Sequence, residues 1–443
     1  MPPSAIHHPL RVAVALIAAL AVGMVPFLLP SSVERVAAQE TISVISDQPR
    51  NDFPRGVTFA LTFQSPTPVE EVRLRYELAP DGTGATAVAG CQGTSTVNCA
   101  YTLTSGRGIF VIPGAEITYH WDIELEDGTQ TSTDDRLYIH EDTRFTFFQA
   151  TRDNVTVHYH ARGEDEAQAV LQAAVETLRD IGRLAQTQVT FPIKVFLYAT
   201  AEEMQPAIVP TGGRGVQVLG EVVYSDTAMV SADVDTLDIT RHEIAHIVTR
   251  EATKGPFGVP GWLNEGISVY AQRQPLAGHD AALQSAIRRD QVLTWAQLNA
   301  PSTGGSASTV GLYYGQAGSI VRYLVETYGE EKFAELLRTF KDGSRVDSAF
   351  EKVYGFDGLA LENQWRASVG LPARSAPVAT ATPDEDQARG EATSESGDGA
   401  GGASASSDGD GGMQALTWGI IGVLGLAVAG TAFYSASVIR SRL

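Results

Sequence analysis

The chain is poor in cysteine. Its 443 residues contain only two, Cys91 and Cys99, which lie close together in one loop-rich stretch. In an oxidising compartment outside the cytosol they are expected to form a short disulfide that closes this loop. A zinc site at this pair is disfavoured because no other ligands cluster nearby, and two free thiols are the remaining alternative.

Positive charge is also scarce. Lysine and arginine total 32 against 52 aspartates and glutamates, which gives a formal charge of −20 and a pI near 4.8. Proteins that bind nucleic acid carry basic patches, so this composition argues against a nucleic-acid partner. Histidine is limited to nine residues. A hexapeptide that contains two of them therefore stands out.

Residues 241–246 read RHEIAH, which contains an HExxH pattern. Side chains four apart on a helix lie on the same face, so His242 and His246 can grip one Zn²⁺. Glu243 can then reach a water on the metal as a general base. Glu265 follows His246 after eighteen intervening residues, placed to be a third, carboxylate ligand that leaves a fourth position for water. The alternative is a solvated helix whose two histidines merely face water.

The flanks of both motifs favour helices packed into a core. Apolar residues give the first segment a buried side: Leu237, Ile239, Ile244, Ala245 and Val248. Thr236 or Asp238 is expected to cap the start of this helix. The second segment also carries apolar residues at helical spacing: Leu263, Ile267 and Tyr270. Glu265 is therefore expected to lie on a helix too.

The pairing of HEIAH with WLNEG resembles the gluzincin metallopeptidases, in particular the peptidase MA-like group related to the M1 aminopeptidases. The resemblance covers about residues 150–370 and is strongest at the two motifs. It implies that His242, His246 and Glu265 bind zinc and that Glu243 is the catalytic glutamate. It also implies an α+β, thermolysin-like peptidase domain, with the active-site helix between a β-containing part and a helical part.

The same resemblance implies a tyrosine or histidine, downstream of the third ligand, that stabilises the oxyanion. The run GLYYGQAGSIVRYL offers Tyr313 and Tyr314. The M1-like enzymes place such a tyrosine on a helix after the glutamate, which favours Tyr314 as the catalytic residue. Alternatively, both tyrosines pack in the core with satisfied hydroxyl groups.

Two family features are missing from the sequence. Thermolysin-like relatives carry an acidic residue one helical turn after the glutamate, where this chain has Val269, so the group that orients a zinc-binding histidine is left open. No GxMxN-type loop for a substrate amine is found either, so a general peptidase or endopeptidase is expected rather than an exopeptidase.

The substrate backbone is expected to pair with an edge strand at 228–230.

Residues 40–145 have the pattern of an all-β domain. Runs at 57–63, 72–78 and 117–125 alternate apolar with polar residues, and turn signals separate them. This pattern predicts an antiparallel sandwich, and the stretch resembles an immunoglobulin-like or fibronectin type III module. Such a module is a possible site for a protein partner. The histidines in and just beyond it are interpreted as ordinary surface or half-buried residues: His120, His140, His158 and His160.

The peptidase region is expected over residues 150–370, which is long enough to bury a full core. Helical periodicity predicts helices at 163–187 and around 278–288, 310–328, 330–341 and 357–368. A strand is predicted at 193–198 and further strands within 215–231.

Two apolar stretches lie near the ends of the chain. Residues 12–30 are uncharged and precede small residues at 36–38, which predicts a signal peptide over 1–38 or, alternatively, a retained signal anchor. The uncharged stretch 415–438, followed by two arginines, predicts a transmembrane helix with a cytoplasmic tail at 439–443. The acidic, Ser- and Gly-rich residues 376–412 are expected to form a flexible tether.

The sequence therefore predicts a multidomain zinc metallopeptidase, anchored in the cell membrane by one span, with an extracellular catalytic region that hydrolyses peptides or proteins. The alternative is a non-enzymatic surface receptor or adhesin that keeps the peptidase fold as a scaffold. The intact Glu243 favours the enzyme, because a scaffold has no physical need for a general base.

Overall fold

The computed structural model describes residues 42–80, 82–106, 110–208, 220–274, 277–300 and 307–375. The predicted signal peptide 1–38, tether 376–412, membrane span 415–438 and tail 439–443 lie outside these residues. Within the described ranges, no helix has both the length and the apolar character needed to cross a membrane.

Two antiparallel sheets form the N-terminal part of the described chain. Their strands are β1 (Ser43–Asp47), β2 (Arg50–Asn51), β3 (Gly56–Gln64), β4 (Val69–Ala79), β5 (Thr83–Val88), β6 (Gly90–Gln92), β7 (Thr96–Thr104), β8 (Glu116–Leu125), β9 (Gln130–Ser132) and β10 (Arg136–Ile139). One sheet has the order β1-β3-β7-β6, with β2 paired to β3, and the other has the order β10-β8-β4-β5, with β9 paired to β8. The three runs predicted as strands coincide with β3, β4 and β8.

The alternating pattern of these strands builds a shared core between the two sheets. On β8, Tyr119, Trp121 and Ile123 are buried and pack with Phe59 and other inward residues of the facing sheet. Successive side chains of a strand point to opposite faces, which is why every second residue of β8 is buried. The predicted sandwich therefore follows directly from the period of the sequence.

A buried carboxylate lies in this core with its partners in place. Asp47, at the end of β1, accepts hydrogen bonds from the hydroxyl of Tyr119 at 3.1 Å and from Nε1 of Trp121 at 3.2 Å. Arg136 lies 3.6 Å away. Each of these buried donors would be costly without an acceptor, and Asp47 satisfies both.

The cysteine pair joins two neighbouring strands. Cys91 on β6 lies directly opposite Cys99 on β7, and a disulfide bond connects them. The predicted loop-closing disulfide is thereby confirmed.

A third, mixed sheet follows. Its strands are β11 (Phe148–Arg152), β12 (Val155–Tyr159), β13 (Ile193–Tyr198), β14 (Gly220–Tyr224) and β15 (Thr227–Ser231), in the order β11-β12-β13-β15-β14. Strands β12, β13 and β15 are parallel, and the two outer strands are antiparallel to their neighbours.

This strand order corrects the prediction that residues 228–230 form an edge strand. They belong to β15, which pairs with β13 on one side and with β14 on the other. The chain forms β14 first and then turns back, so the later strand occupies the interior position. The edge strand available for pairing with a substrate is β14.

Helices make up most of the remaining chain. They are α1 (Glu164–Ala185), α2 (Ala201–Met204), α3 (Thr236–Ala252), α4 (Gly261–Ala271), α5 (Ala277–Arg288), α6 (Trp295–Asn299), α7 (Ala307–Tyr328), α8 (Glu330–Lys341), α9 (Val346–Tyr354) and α10 (Gly358–Ser368), with a 3₁₀ turn at Gln205–Ala207. The longer helices were predicted by periodicity. The short helices α2, α6 and α9 were not, because four to nine residues give too few turns for a clear pattern.

Helix α3 lies between the third sheet and the helical part because it is apolar on two sides. Ile239 and Ile244 pack into the core beneath the sheet. Ala245 and Val248 pack into the helical core, which includes Trp262. The expectation of a side-chain cap at Thr236 or Asp238 was wrong. The helix begins after Asp235 without a side-chain cap, while the Asp238 carboxylate accepts hydrogen bonds from Arg241 and from backbone amides beyond α4.

The sandwich packs directly on the third sheet, and two histidines lie at this contact. His158 stacks on Phe196, with ring centroids 4.5 Å apart, and His160 stacks on Phe145 at 4.0 Å. Both Phe196 and Tyr198 belong to the core that fills the sandwich. His158 on β12 and His160 directly after this strand therefore pack between the sandwich and the third sheet, in agreement with their interpretation as ordinary half-buried residues.

Candidate metal centre

Helices α3 and α4 bring the three predicted ligands together. Nε2 of His242 lies 3.2 Å from Oε2 of Glu265, and Nε2 of His246 lies 3.4 Å from the same oxygen. The ligand atoms of all three residues fall within 4.8 Å of one another, and all three residues are buried. A helix whose histidines merely face water is therefore excluded, since His242 is only 2% exposed and His246 8% exposed.

The spacing of these atoms fits a zinc ion. Four ligands about 2.0–2.1 Å from Zn²⁺ in a tetrahedron lie roughly 3.3–3.4 Å from one another. The two measured nitrogen–oxygen distances are 3.2 and 3.4 Å. Nε2 of His246 also makes no hydrogen bond of ordinary geometry among the described residues. Two imidazoles and one carboxylate are a donor set that zinc accepts readily.

The negative charge of Glu265 and the positive charge of protonated His246 stabilise each other. Burial alone would raise the pKa of Glu265, but the charge of His246 and the hydrogen bond with His242 hold it below its usual value. Burial opposes the charged form of His246, but the Glu265 carboxylate raises the pKa of that imidazole. The carboxylate thus attracts positive charge to the position where a cation would bind.

Ser268 orients one of the ligands. Its Oγ lies 3.0 Å from Nδ1 of His246, one helical turn after Glu265, and the serine is fully buried. When the other ring nitrogen binds a metal, Nδ1 carries the proton and donates it to the serine oxygen, which fixes the ring. A hydroxyl therefore takes the part that an acidic residue was expected to play at the next position, Val269. Nδ1 of His242 has no such partner in the described chain.

Glu243 lies beside the ligands in a closed environment. The residue is fully buried, and neither carboxylate oxygen makes a hydrogen bond of ordinary geometry with described residues. Burial, reinforced by the negative charge of Glu265, raises the pKa of Glu243 to about 8. A carboxylate with a raised pKa and free lone pairs is suited to accept a proton from water.

Strand β14 closes over this glutamate and requires a glycine to do so. A Cβ atom at Gly220 would lie 2.7 Å from Oε1 of Glu243 and 2.6 Å from Cγ2 of Ile239. Any larger residue would push the edge strand away from α3. Gly220 therefore lets the backbone that can pair with a substrate approach the catalytic glutamate.

The next residue, Glu221, is a second buried carboxylate near Glu243. It is 4% exposed, its Oε2 has no hydrogen-bond partner in the described part of the chain, and burial raises its pKa to about 8. Its charge also raises the pKa of Glu243. This residue was not predicted to belong to the site, although a glutamate inside the apolar run LGEVVY indicates a buried carboxylate.

Of the two candidate tyrosines, Tyr314 is the one at the ligands. It is 4% exposed, and its ring lies 6.0 Å from that of His242. Burial, followed by the negative charge of Glu265, raises the pKa of its hydroxyl well above the ordinary value. Tyr313 is only partly buried and lies near Gly261 at the start of α4. The structure thus brings Tyr314 together with His242, His246, Glu243 and Glu265, while its catalytic role stays a prediction.

A family comparison agrees with this site. Residues 172–370 match the family model of the Peptidase MA superfamily. The match covers both motifs and runs from within α1 to just beyond α10. The resemblance inferred from HEIAH and WLNEG is thereby confirmed for this region. No curated protein matches the chain.

Solved structures give weaker likenesses. An M1 zinc metallopeptidase from Deinococcus radiodurans is 14% identical, and the alignment covers 76% of this chain and 96% of that one with a TM-score of 0.36. A β-1,3-glucan-binding domain of carbohydrate-binding module family 56 is 16% identical and aligns over 22% of this chain and 99% of that one, with a TM-score of 0.15. At these TM-scores, neither likeness establishes a shared fold.

Proposed function

We propose that this protein is a zinc metallopeptidase that hydrolyses peptide bonds. The observation that carries the proposal is the convergence of four buried residues from two helices. His242, His246 and Glu265 present ligand atoms within 4.8 Å of one another, and Glu243 lies beside them with unpaired oxygens. The match of residues 172–370 to the Peptidase MA superfamily supports the same activity.

Each residue has a distinct part in the reaction. Zinc, when bound by His242, His246 and Glu265, lowers the pKa of a water towards ~7 and polarises the scissile carbonyl. The Glu243 carboxylate accepts the proton of the attacking water and returns it to the leaving amine. The hydroxyl of Tyr314 donates a hydrogen bond to the oxygen that becomes negative as the carbonyl is attacked.

Substrate binding is assigned to the edge of the third sheet. Among the described residues, strand β14 is paired on one side only, and Gly220 brings it close to Glu243. An extended peptide can add to such an edge through its backbone. Oε2 of Glu221, which has no hydrogen-bond partner among the described residues, lies on the same strand and favours a substrate that brings a positive charge beside the scissile bond.

The decisive test replaces the general base alone. Glu243→Gln keeps the size and polarity of the side chain but cannot accept a proton. We expect the variant to retain about one zinc per chain, measured by atomic absorption, while hydrolysis of casein falls by at least ~10³-fold. Equal activity in the wild type and the variant would refute the mechanism. A wild-type protein without zinc would refute the site.

Export and anchoring form a separate part of the proposal. The apolar stretch 12–30 and the uncharged stretch 415–438, followed by Arg440 and Arg442, favour a catalytic region outside the cell and a short tail inside. Proteinase added to intact cells should then degrade the catalytic region and leave only a small membrane-bound fragment. Full protection of the catalytic region in intact cells would contradict this arrangement.

A receptor or adhesin without activity remains the second candidate. Its supporting feature is the separate front sandwich, which offers a surface for a partner. Retention of Glu243, with its two unpaired oxygens, favours the enzyme, because a buried unpaired carboxylate lowers stability and serves no purpose in a scaffold. The Glu243→Gln experiment separates the two candidates.

A further inference from the structure

Helix α5 places a histidine against the tyrosine of the site. The ring of His279 stacks on the ring of Tyr314, with centroids 5.0 Å apart and planes inclined by only 12°. His279 is 5% exposed, so this contact lies inside the protein. Nothing in the sequence pattern around His279 marks it as a functional residue.

The contact depends on an unusually close approach of α5 and α7. A Cβ atom at Gly315 would lie 2.4 Å from the backbone oxygen of His279, and one at Gly311 would lie 3.3 Å from the oxygen of Gly278. These two glycines are four residues apart and therefore share one face of α7. Because they carry no side chain, α5 lies directly on α7 and its histidine meets Tyr314, the neighbour of Gly315.

His279 contacts Tyr314 through the face of its imidazole ring. Nδ1 of His279 is buried and has no hydrogen-bond partner among the described residues. The stack on the phenol ring of Tyr314 is a directed contact of this imidazole. Stacked aromatic pairs prefer a defined mutual orientation, so the imidazole limits rotation of the phenol.

We propose that His279 is a positioning residue for peptide hydrolysis, which holds the Tyr314 hydroxyl in its place through the stacked rings. The inference rests on the proposed function, because it assigns to His279 an effect on the oxyanion donor of that reaction. It concerns Tyr314 and not the metal ligands. His279 touches no reacting atom and is not itself a catalytic residue.

The first measurement is made without metal or substrate and is therefore independent of activity. The full chain is labelled with 3-fluorotyrosine, and the ¹⁹F resonance of Tyr314 is assigned by its loss in Tyr314→Phe. His279→Leu, which removes the flat ring, should shift this resonance, and His279→Phe should keep it sharp and in a ring-stacked position. An unchanged Tyr314 resonance in His279→Leu would overturn the proposal.

The second measurement follows peptide hydrolysis by the zinc-loaded enzyme. We expect His279→Leu to lower kcat by about five- to tenfold with KM within about twofold, because a displaced phenol hydroxyl donates a weaker hydrogen bond to the developing oxyanion. His279→Phe should keep kcat within about twofold. In a Tyr314→Phe background, His279→Leu should have no further effect, because there is no hydroxyl left to position.

A matched histidine elsewhere controls for a general loss of packing. His158 stacks on Phe196 at 4.5 Å and 9°, and burial lowers the pKa of both histidines to about 4, so both are neutral near pH 7. His158→Leu should leave kcat and the Tyr314 resonance unchanged. An equal loss of kcat in His158→Leu, or an equal effect of His279→Leu with and without the Tyr314 hydroxyl, would show a purely structural role and overturn the proposal. A wild type without hydrolysis would instead refute the proposed function.

Discussion

In the front sandwich, the buried carboxylate of Asp47 accepts hydrogen bonds from Tyr119 and Trp121. At the metal centre, the buried carboxylates of Glu243 and Glu221 have oxygens without a partner among the residues that the structure describes. Both regions bury charge-bearing groups in a densely packed interior. In the sandwich these groups are satisfied by the protein itself. At the metal centre the described residues supply no partner for the oxygens of Glu243 or for Oε2 of Glu221.

The difference has a thermodynamic meaning. An unpaired polar group in a buried position costs about 1–3 kcal/mol, so a structure gains stability when such a group is paired or removed. In the sandwich, removal of the polar group should destabilise the protein. At the metal centre, removal should abolish function while stability is kept or improved. The following variants test this contrast, beginning with the largest expected effect.

Glu265→Gln should have the largest effect on zinc binding. The change removes the negative charge that both histidines face at 3.2 and 3.4 Å and leaves a weaker, neutral ligand. We expect zinc affinity and hydrolysis to fall by at least ~10²-fold each, because the ligand set then loses its charged member. Isothermal titration with zinc and a peptide assay measure both. Unchanged zinc affinity would show that the metal binds elsewhere.

Tyr314→Phe tests the residue that the sequence analysis favoured. Loss of one hydrogen bond to a developing oxyanion lowers kcat by about 10²–10³-fold. KM and zinc content should change little, since the phenyl ring still packs against His242 and His279. The matched variant Tyr313→Phe should keep kcat within a few-fold. If Tyr313→Phe instead gave the larger loss, the two tyrosines would have been assigned in the wrong order.

Ser268→Ala should weaken the metal site without destroying it. The change removes the acceptor for Nδ1 of His246, and loss of such an outer partner typically reduces metal affinity by about 10–100-fold. Competition with a chelator of known zinc affinity measures the change. Ser268→Thr, which keeps the hydroxyl, is the matched control. An equal loss of affinity in both variants would indicate a packing defect rather than a lost hydrogen bond.

Residues of this site could be predicted from sequence where they lie close together along the chain, and not where distant segments must first pack together. His242, Glu243, His246 and Glu265 could be predicted because helical periodicity fixes their relations within two short segments. Tyr314 required the family resemblance.

Three residues escaped prediction because they depend on contacts between distant segments. Ser268 reaches His246 only through the packing of α4 on α3. Glu221 reaches Glu243 because β14 is the edge of the sheet, whereas the prediction had placed that edge on the residues of β15. His279 reaches Tyr314 only because two glycines let α5 approach α7. Local patterns determined the strands and long helices, while their mutual arrangement determined these contacts.

The last prediction compares one carboxylate of each region in the metal-free protein. Asp47→Ala leaves two buried donors unpaired and should lower the free energy of unfolding by about 2–4 kcal/mol, while specific activity of the folded protein is unchanged. Glu221→Gln should do the opposite and raise the free energy of unfolding by about 1–3 kcal/mol at alkaline pH. Urea denaturation followed by tryptophan fluorescence measures both.

The change in the free energy of unfolding caused by Glu221→Gln should depend on pH. The folded-state pKa of Glu221 is raised to about 8 from an ordinary value of 4.5, so the folded state must either hold a proton that the unfolded chain has lost or bury a charge. Below pH 4.5 Glu221 is protonated in both the folded and the unfolded state, so its burial carries no charge penalty. As pH rises from 4.5 to about 8, the free energy of unfolding of the wild type falls relative to that of Glu221→Gln. The two proteins should be equally stable near pH 4 and diverge above it. A Glu221→Gln variant that is less stable than the wild type at pH 9 would mean that Glu221, like Asp47, has a partner within the protein, and the contrast between the two regions would fail.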